Sequence, residues 1–153
     1  IDCLAEAGYE YDSSVFPVRH DRYGVPDAPR GLHWAVGPGG GGIVEIPPLT
    51  LRVLGQNLPV GGGGYLRLLP TGAVARALRV RDEPGMVYLH PWELDPDQPL
   101  LPMSRLSRWR HRLNLHRTEA KLDRLLRRFP FAGAEEVLAG VDASTLPRHA
   151  YGR

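Results

Sequence analysis

The residues with the clearest capacity for chemistry stand together at Tyr88-Leu89-His90-Pro91-Trp92-Glu93. The apolar run from Met86 to Leu89 reads as a short strand that Pro91 brings to an end. His90 therefore falls at a strand end, where parallel α/β barrels keep their functional side chains. An imidazole titrates near neutrality and donates or accepts a proton with little tuning. The same position also suits a structural histidine. Trp92 and Glu93 could supply a face for sugar stacking and a tuning carboxylate, or equally a core residue beneath a proline-rich loop.

Two more groups carry polar chemistry. Asp12-Ser13-Ser14 closes a second strand-like stretch, Tyr9 to Asp12. An aspartate there can orient a histidine or bind a hydroxyl, and it can also form an ordinary Asx turn. His20-Asp21-Arg22-Tyr23 places four functional side-chain types in one loop. Arg and Asp can fork to hydroxyls or carboxylates while Tyr stacks; the alternative is a solvated loop with a local ion pair.

Six histidines make zinc worth testing. His111 and His116 lie across an expected helix break, without a carboxylate at ligand spacing, and no HExxH, HxxxH or CxxC pair occurs. No complete metal site is expected within these residues. The glycine runs Gly39 to Gly42 and Gly61 to Gly64 lack the pattern of a phosphate loop and read as a flexible connector and a loop.

The elements that must position these groups follow from periodicity and breakers. Ile1-Asp2-Cys3-Leu4-Ala5-Glu6-Ala7-Gly8 reads as the last turns of a helix ending at a glycine. Together with Ile in place of Met at position 1, this predicts that further chain precedes it. Pro17 to Pro29 is a loop, and Ile43 to Ile46 and Thr50 to Leu54 are strand-like. A helix is expected over Thr71 to Arg81, then the strand Met86 to Leu89, then helices over Ser104 to Leu113 and Thr118 to Phe129. Leu122, Leu125, Leu126 and Phe129 form an apolar stripe on the last of these. Ala134 to Ala139 allows another turn or two, and residues 141–153 are expected to be a disordered tail.

Composition narrows the classes. With 19 basic and 17 acidic residues the net charge is +2, too balanced to require a polyanion partner. Arg105 to Arg128 carries nine Lys or Arg, a footprint that nucleic acid could use, but a solvated helix face accounts for it and no nucleic-acid partner is expected. The single cysteine, Cys3, rules out an internal disulfide framework. No apolar run approaches the roughly 20 residues of a membrane span. The 18 Gly and 15 Pro predict long shaped loops around a few regular elements.

Several stretches, in one order, resemble a known family: Gly8-Tyr9-Glu10-Tyr11-Asp12-Ser13-Ser14-Val15-Phe16-Pro17, Arg19-His20-Asp21-Arg22-Tyr23-Gly24, Gly62-Gly63-Gly64-Tyr65 with Leu68-Leu69-Pro70, and Tyr88-Leu89-His90-Pro91-Trp92-Glu93. They are similar to the NodB-homology polysaccharide deacetylases, in the exosortase-associated branch. That branch carries a C-terminal extension of unassigned function, which Leu106 to Leu126 also resembles. The likeness runs from residue 1 to about residue 139.

The resemblance implies an α/β fold, the C-terminal part of a distorted (β/α) barrel with long Gly/Pro-rich loops and a helical C-terminal extension. It implies residues 1–92 as the C-terminal part of the deacetylase domain, 93–140 as the extension and 141–153 as the tail. The implied activity is metal-dependent removal of acetyl groups from N-acetylated polysaccharide or oligosaccharide. Zinc or another divalent metal belongs to the full-length protein, with its ligands and the catalytic base in a preceding part, and none is expected in this chain alone. His90 takes the place of the family's late histidine, the general acid toward the departing amine. Asp12 lies near the fourth motif, without its usual aspartate-tryptophan pattern. Tyr88 stands where many members line the acetyl-methyl pocket with leucine. Asp12, Ser13, His20, Asp21, Arg22, Tyr23, Tyr88 and Trp92 are the expected substrate contacts. The parent is expected in the cytoplasm; the oligomeric state is left open. The rival reading is a noncatalytic glycan-binding module or pseudoenzyme subunit.

Overall fold

A computed structural model describes residues 1–20, 23–99 and 102–152. Its organising strand is β3 (Gly42–Glu45), rich in β-branched residues and almost wholly buried. On one side β1 (Tyr11–Asp12) runs parallel to it, with Asp12 beside Glu45. On the other, β2 (His33–Val36) runs antiparallel and brings His33 beside Glu45. β6 (Arg148–Ala150) joins parallel to β2, so the four-stranded sheet has the order β1-β3-β2-β6. The fold is thus α/β with a mixed sheet, and the described residues do not close a barrel.

The first glycine run is a tight structure rather than a flexible connector. It turns β2 into β3, with Gly40 at φ +89° and Gly37 N–H donating to Gly41 O at 2.8 Å. The turn wraps the Asp2 carboxylate, which accepts the Gly39 and Gly41 amides at 2.9 and 2.8 Å. Those amides hold the Asp2 pKa below its usual value and pin α1 (Asp2–Glu6) to the hairpin.

A second hairpin pairs β4 (Thr50–Val53) with β5 (Gln56–Pro59). Leu54 and Gly55 turn it with φ +48° and +78°, the two positive values a primed hairpin turn requires. The second glycine run then opens α2 (Gly63–Leu68), which the sequence reading leaves as loop, and α3 (Thr71–Arg79) follows as expected. Leu49, Val60, Leu66, Val74, Ala75 and Ala77 build the main core. Leu125 of α5 (Leu115–Leu126) enters that same core and Phe129 packs against it, while Leu126 of the expected stripe stays half exposed. α4 (Arg105–Arg112) buries no residue. The expected extension therefore shares a core with the segment before it.

Two further expectations need correction. Met86 to Leu89 is not a strand of the sheet. Met86 makes an isolated parallel bridge to Pro48, and Tyr88 N–H donates to Gly61 O at 2.9 Å. Pro47 and Pro48 have no N–H to extend a ladder, so the run stays extended but unpaired as a strand. Residues 141–153 are not a disordered tail over their described part. Leu138 of α6 (Ala134–Leu138), Val141 and Leu146 pack on a second cluster of Leu32, Val44 and Ile46, and β6 completes the sheet. Its short polar sequence, Arg148-His149-Ala150, gives no strand signal of its own; β2 supplies the pairing.

Candidate functional site

An open cleft of about 310 Å³ lies where the loop after β1 meets the Tyr88 segment, lined by Ser13, Ser14, Phe16, Tyr23, Pro48 and Tyr88. Three of the expected substrate contacts, Ser13, Tyr23 and Tyr88, thus converge. Tyr23 is held as a wall. Its ring stacks on His20 at 4.0 Å and on Phe16 at 6.0 Å, and its hydroxyl shares a 2.6 Å hydrogen bond with the Tyr65 hydroxyl. Tyr88, 38% exposed, faces it, and its hydroxyl would lie 2.7 Å from a Cβ at Gly62, so glycine is what permits the approach. Burial, with Tyr23 and Glu93 nearby, raises the Tyr88 pKa and keeps the hydroxyl protonated.

From Tyr88 an aromatic ridge continues outward. The exposed His90 ring lies edge-on to Tyr88 at 5.9 Å and nearly parallel to Trp92 at 6.1 Å. Trp92 stacks on His111 of α4 at 4.3 Å, and the Arg67 guanidinium sits 5.0 Å from its ring. Trp92 is thus neither a bare sugar platform nor a core residue, but a half-buried plate between two elements.

The backbone of His90 is fixed from below. Glu93 returns from the 3₁₀ turn Pro91–Leu94, its Oε2 accepting the His90 N–H at 3.1 Å and its own N–H donating to His90 O at 2.9 Å. Glu93 is buried, and Oε1 takes a 2.8 Å charge-assisted bond from Arg67 Nε. Arg67 Nη1 also donates to the Arg110, His111 and Leu113 carbonyls at 3.4, 2.8 and 3.2 Å, satisfying the end of α4. Gly63 leaves room for the Glu93 carboxylate, where a Cβ would collide. One buried arginine therefore ties α2, the His90 turn and α4 together.

Behind the cleft, Glu45 is fully buried. Its Oε1 accepts the Val15 N–H at 2.9 Å, while Oε2 has no hydrogen-bond donor among the described residues. Burial, offset by the Val15 amide and reinforced by the neighbouring Asp12 carboxylate, pushes its pKa up to about 8. Glu45 thus holds a proton at neutral pH. The facing His33 is neutral, since burial lowers its pKa. Its Nδ1–H donates to Gly31 O at 2.8 Å, so Nε2 accepts from the Tyr151 hydroxyl at 2.7 Å.

The remaining expected contacts divide. Asp12 is half-buried at the end of β1 and accepts the Ser14 hydroxyl, while Ser13 Oγ donates to Ile46 O at 2.6 Å. These are strand-end turns that also border the cleft. Asp21 and Arg22 lie outside the described residues. Arg67, Tyr65, Glu45 and His111 are missed by sequence reasoning. Arg67 sits in Tyr65-Leu66-Arg67-Leu68, which looks like any amphipathic helix, and no local signal marks it. Among the described residues no three His, Cys, Asp or Glu side chains group as a metal site. A larger groove of about 520 Å³ runs between Tyr11, Trp34, Leu138 and Val141, but it has neither a histidine nor a hydroxyl cluster beyond two tyrosines.

The chain matches a family model described as Domain of unknown function (DUF3473) over residues 13–139, and it belongs to that family. No curated protein and no solved structure matches it. No helix among the described residues is long and apolar enough to cross a membrane.

Proposed function

We propose that this chain is the C-terminal portion of a polysaccharide N-deacetylase, hydrolysing acetamido groups on N-acetylated sugars. The observation that carries this reading is the cleft itself. Ser13, Tyr23 and Tyr88 converge on one concave surface, and the exposed His90 ring lies edge-on to Tyr88, one of its walls. Aromatic walls pack against the CH faces of a sugar ring while hydroxyls at the edge set its orientation. In amide hydrolysis the nitrogen must be protonated before it can leave, and an imidazole positioned against it is suited to that proton transfer. Glu93 and Arg67 act as positioning residues, fixing the backbone from which His90 projects. Metal ligands and the catalytic base are assigned to residues outside this chain, and no step here is routed through them. The two open edges of the sheet, at β1 and β6, are consistent with strands that a distorted barrel would complete.

The test is His90→Ala in the full-length polypeptide, assayed for acetate release from N-acetylated oligosaccharide. Turnover should fall while substrate affinity and thermal stability hold. Unchanged turnover, or collapse of folding alone, would make His90 structural.

A noncatalytic glycan-binding module is the second reading. It is favoured by the ridge from Tyr88 to His111, which is complete without a metal-ligand group among the described residues. Oligosaccharide binding by a full-length protein that releases no acetate in any divalent metal would establish it.

A further inference from the structure

The aromatic ridge that starts at Tyr88 ends on a helix with a second, differently charged surface. His111, at the end of the Tyr88–His90–Trp92 ridge, belongs to α4, and the neighbouring face of that helix carries Arg105, Arg108, Trp109 and Arg112 at i, i+3, i+4 and i+7. With His116 they line a groove of about 500 Å³. Trp109 is 59% exposed. Among the described residues no carboxylate pairs with Arg105, Arg108 or Arg112; the ion pairs formed involve Arg67, Arg81 and Arg127. Arg112 Nη2 donates to Pro96 O at 3.0 Å, which aims the guanidinium without neutralising it.

We propose that this groove is a subsite for an acidic glycan, a polymer bearing carboxylate groups, held beside the deacetylation cleft. The proposal rests on the deacetylase reading for its direction, and it adds the substrate class. Arginine forks match carboxylates in a bidentate geometry that neutral sugars do not offer. An indole set among them gives a ring face for the sugar's CH groups. The chain's net charge of +2 supplies no broad field of the kind that gathers duplex DNA. Unpaired arginines exposed on one face of a helix that buries nothing repel each other; an anionic ligand relieves that repulsion.

The test uses the full-length protein, wild type and Arg105→Glu/Arg108→Glu/Arg112→Glu, with polygalacturonate oligomers and their carboxyl-reduced counterpart as probes. Wild type should prefer the polyuronate, with affinity falling as salt rises. The triple variant should lose roughly tenfold or more of that affinity, with binding of the reduced polymer unchanged. Because charge reversal on one helix can impair folding, Arg108→Gln/Trp109→Ala should show a smaller loss in the same direction. Equal binding of the two polymers, unchanged polyuronate binding in both variants, or tighter binding of duplex DNA or anionic phosphatidylserine vesicles through the same arginines would overturn the proposal. His90→Ala separates the two readings, since it should leave polyuronate binding intact. Wild-type protein that binds polyuronate yet never releases acetate would sink the deacetylase reading and leave the subsite standing.

Discussion

Two histidines of this chain sit beside carboxylic acids, and their surroundings could hardly differ more. His33 is fully buried at the head of β2, with Glu45 as its register partner and both ring nitrogens engaged. His90 is exposed on a non-helical segment; its backbone is gripped by Glu93 while its ring touches Tyr88 and Trp92. In the first case hydrogen bonds on both nitrogens fix the imidazole in one tautomer, and burial lowers its pKa. In the second, hydrogen bonds hold the backbone, and the ring stands edge-on to Tyr88. What is held still thus differs, the ring at His33 and the backbone at His90, and the proposed role of His90 rests on that difference.

The sharpest way to break this contrast is to remove each ring in the full-length protein. His90→Ala should slow acetate release by roughly 10²–10⁴-fold, the usual worth of positioned proton transfer, chiefly in kcat. His33→Ala should instead lower the unfolding midpoint, leaving kcat of the folded fraction near wild type. Next in size is the clamp below His90. Arg67→Met leaves the buried Glu93 charge and three α4 carbonyls unmatched, so calorimetry should show a loss of about 3–5 kcal/mol. Adding Glu93→Leu should restore part of the stability but not turnover, because the His90 N–H then has no carboxylate to hold it. Recovery of both together would show that Glu93 has no positioning role.

How much of this was legible in the sequence depended on whether the signal was local. Ile43 and Val44 announce β3, and Thr71 to Arg79 announces α3, because periodicity and breakers act within a few residues. Ser13 and Tyr23 stand out as polar or aromatic residues at a strand end and in a loop, Tyr88 stands out only through the family resemblance, and the cleft gathers all three. Arg67 was invisible, since its partners lie 26 and more than 40 positions away. Glu45 carries no local signal of burial within its strand-like run; the approach of β1 on one side and β2 on the other buries it. Lys121 counted as part of a solvated basic face, yet its ammonium caps α2 at the Leu66, Arg67 and Leu69 carbonyls. The tail failed for the same reason in reverse, as β6 borrows its structure from β2.

The carboxyl beside His33 gives a pH-dependent version of the contrast. Glu45 has a folded pKa of about 8 against an ordinary value of 4.5, so the folded protein binds more protons than the unfolded chain between those limits. Its stabilising share is fully present below about pH 4.5 and is lost as pH rises through about 8. Above about pH 6.5, where the lowered His33 pKa no longer adds a slope of the opposite sign, urea midpoints measured from pH 7 to 9 should therefore fall with pH. Glu45→Gln keeps an acceptor for the Val15 amide and carries no proton to lose, so its midpoints should lose most of that slope. An equally steep slope in the variant would place the titrating group elsewhere.

The smallest expected effect concerns the cleft wall. Tyr23→Phe removes a hydroxyl from the 2.6 Å bond to Tyr65 and leaves the stacking on His20 and Phe16 intact. That bond is exposed, so water can replace it, and the stability cost should stay below about 1 kcal/mol. The Tyr65 hydroxyl joins the loop after β1 to α2, the helix that carries Arg67, so its loss loosens one wall of the cleft relative to the His90 clamp. A few-fold rise in KM with kcat nearly unchanged is the expected signature, because the wall positions the ligand and takes no part in proton transfer. A drop in kcat as large as that of His90→Ala would mean that the Tyr23 hydroxyl itself meets the reacting group. The division between a positioning wall and a proton-bearing rim would then have to be redrawn around both residues.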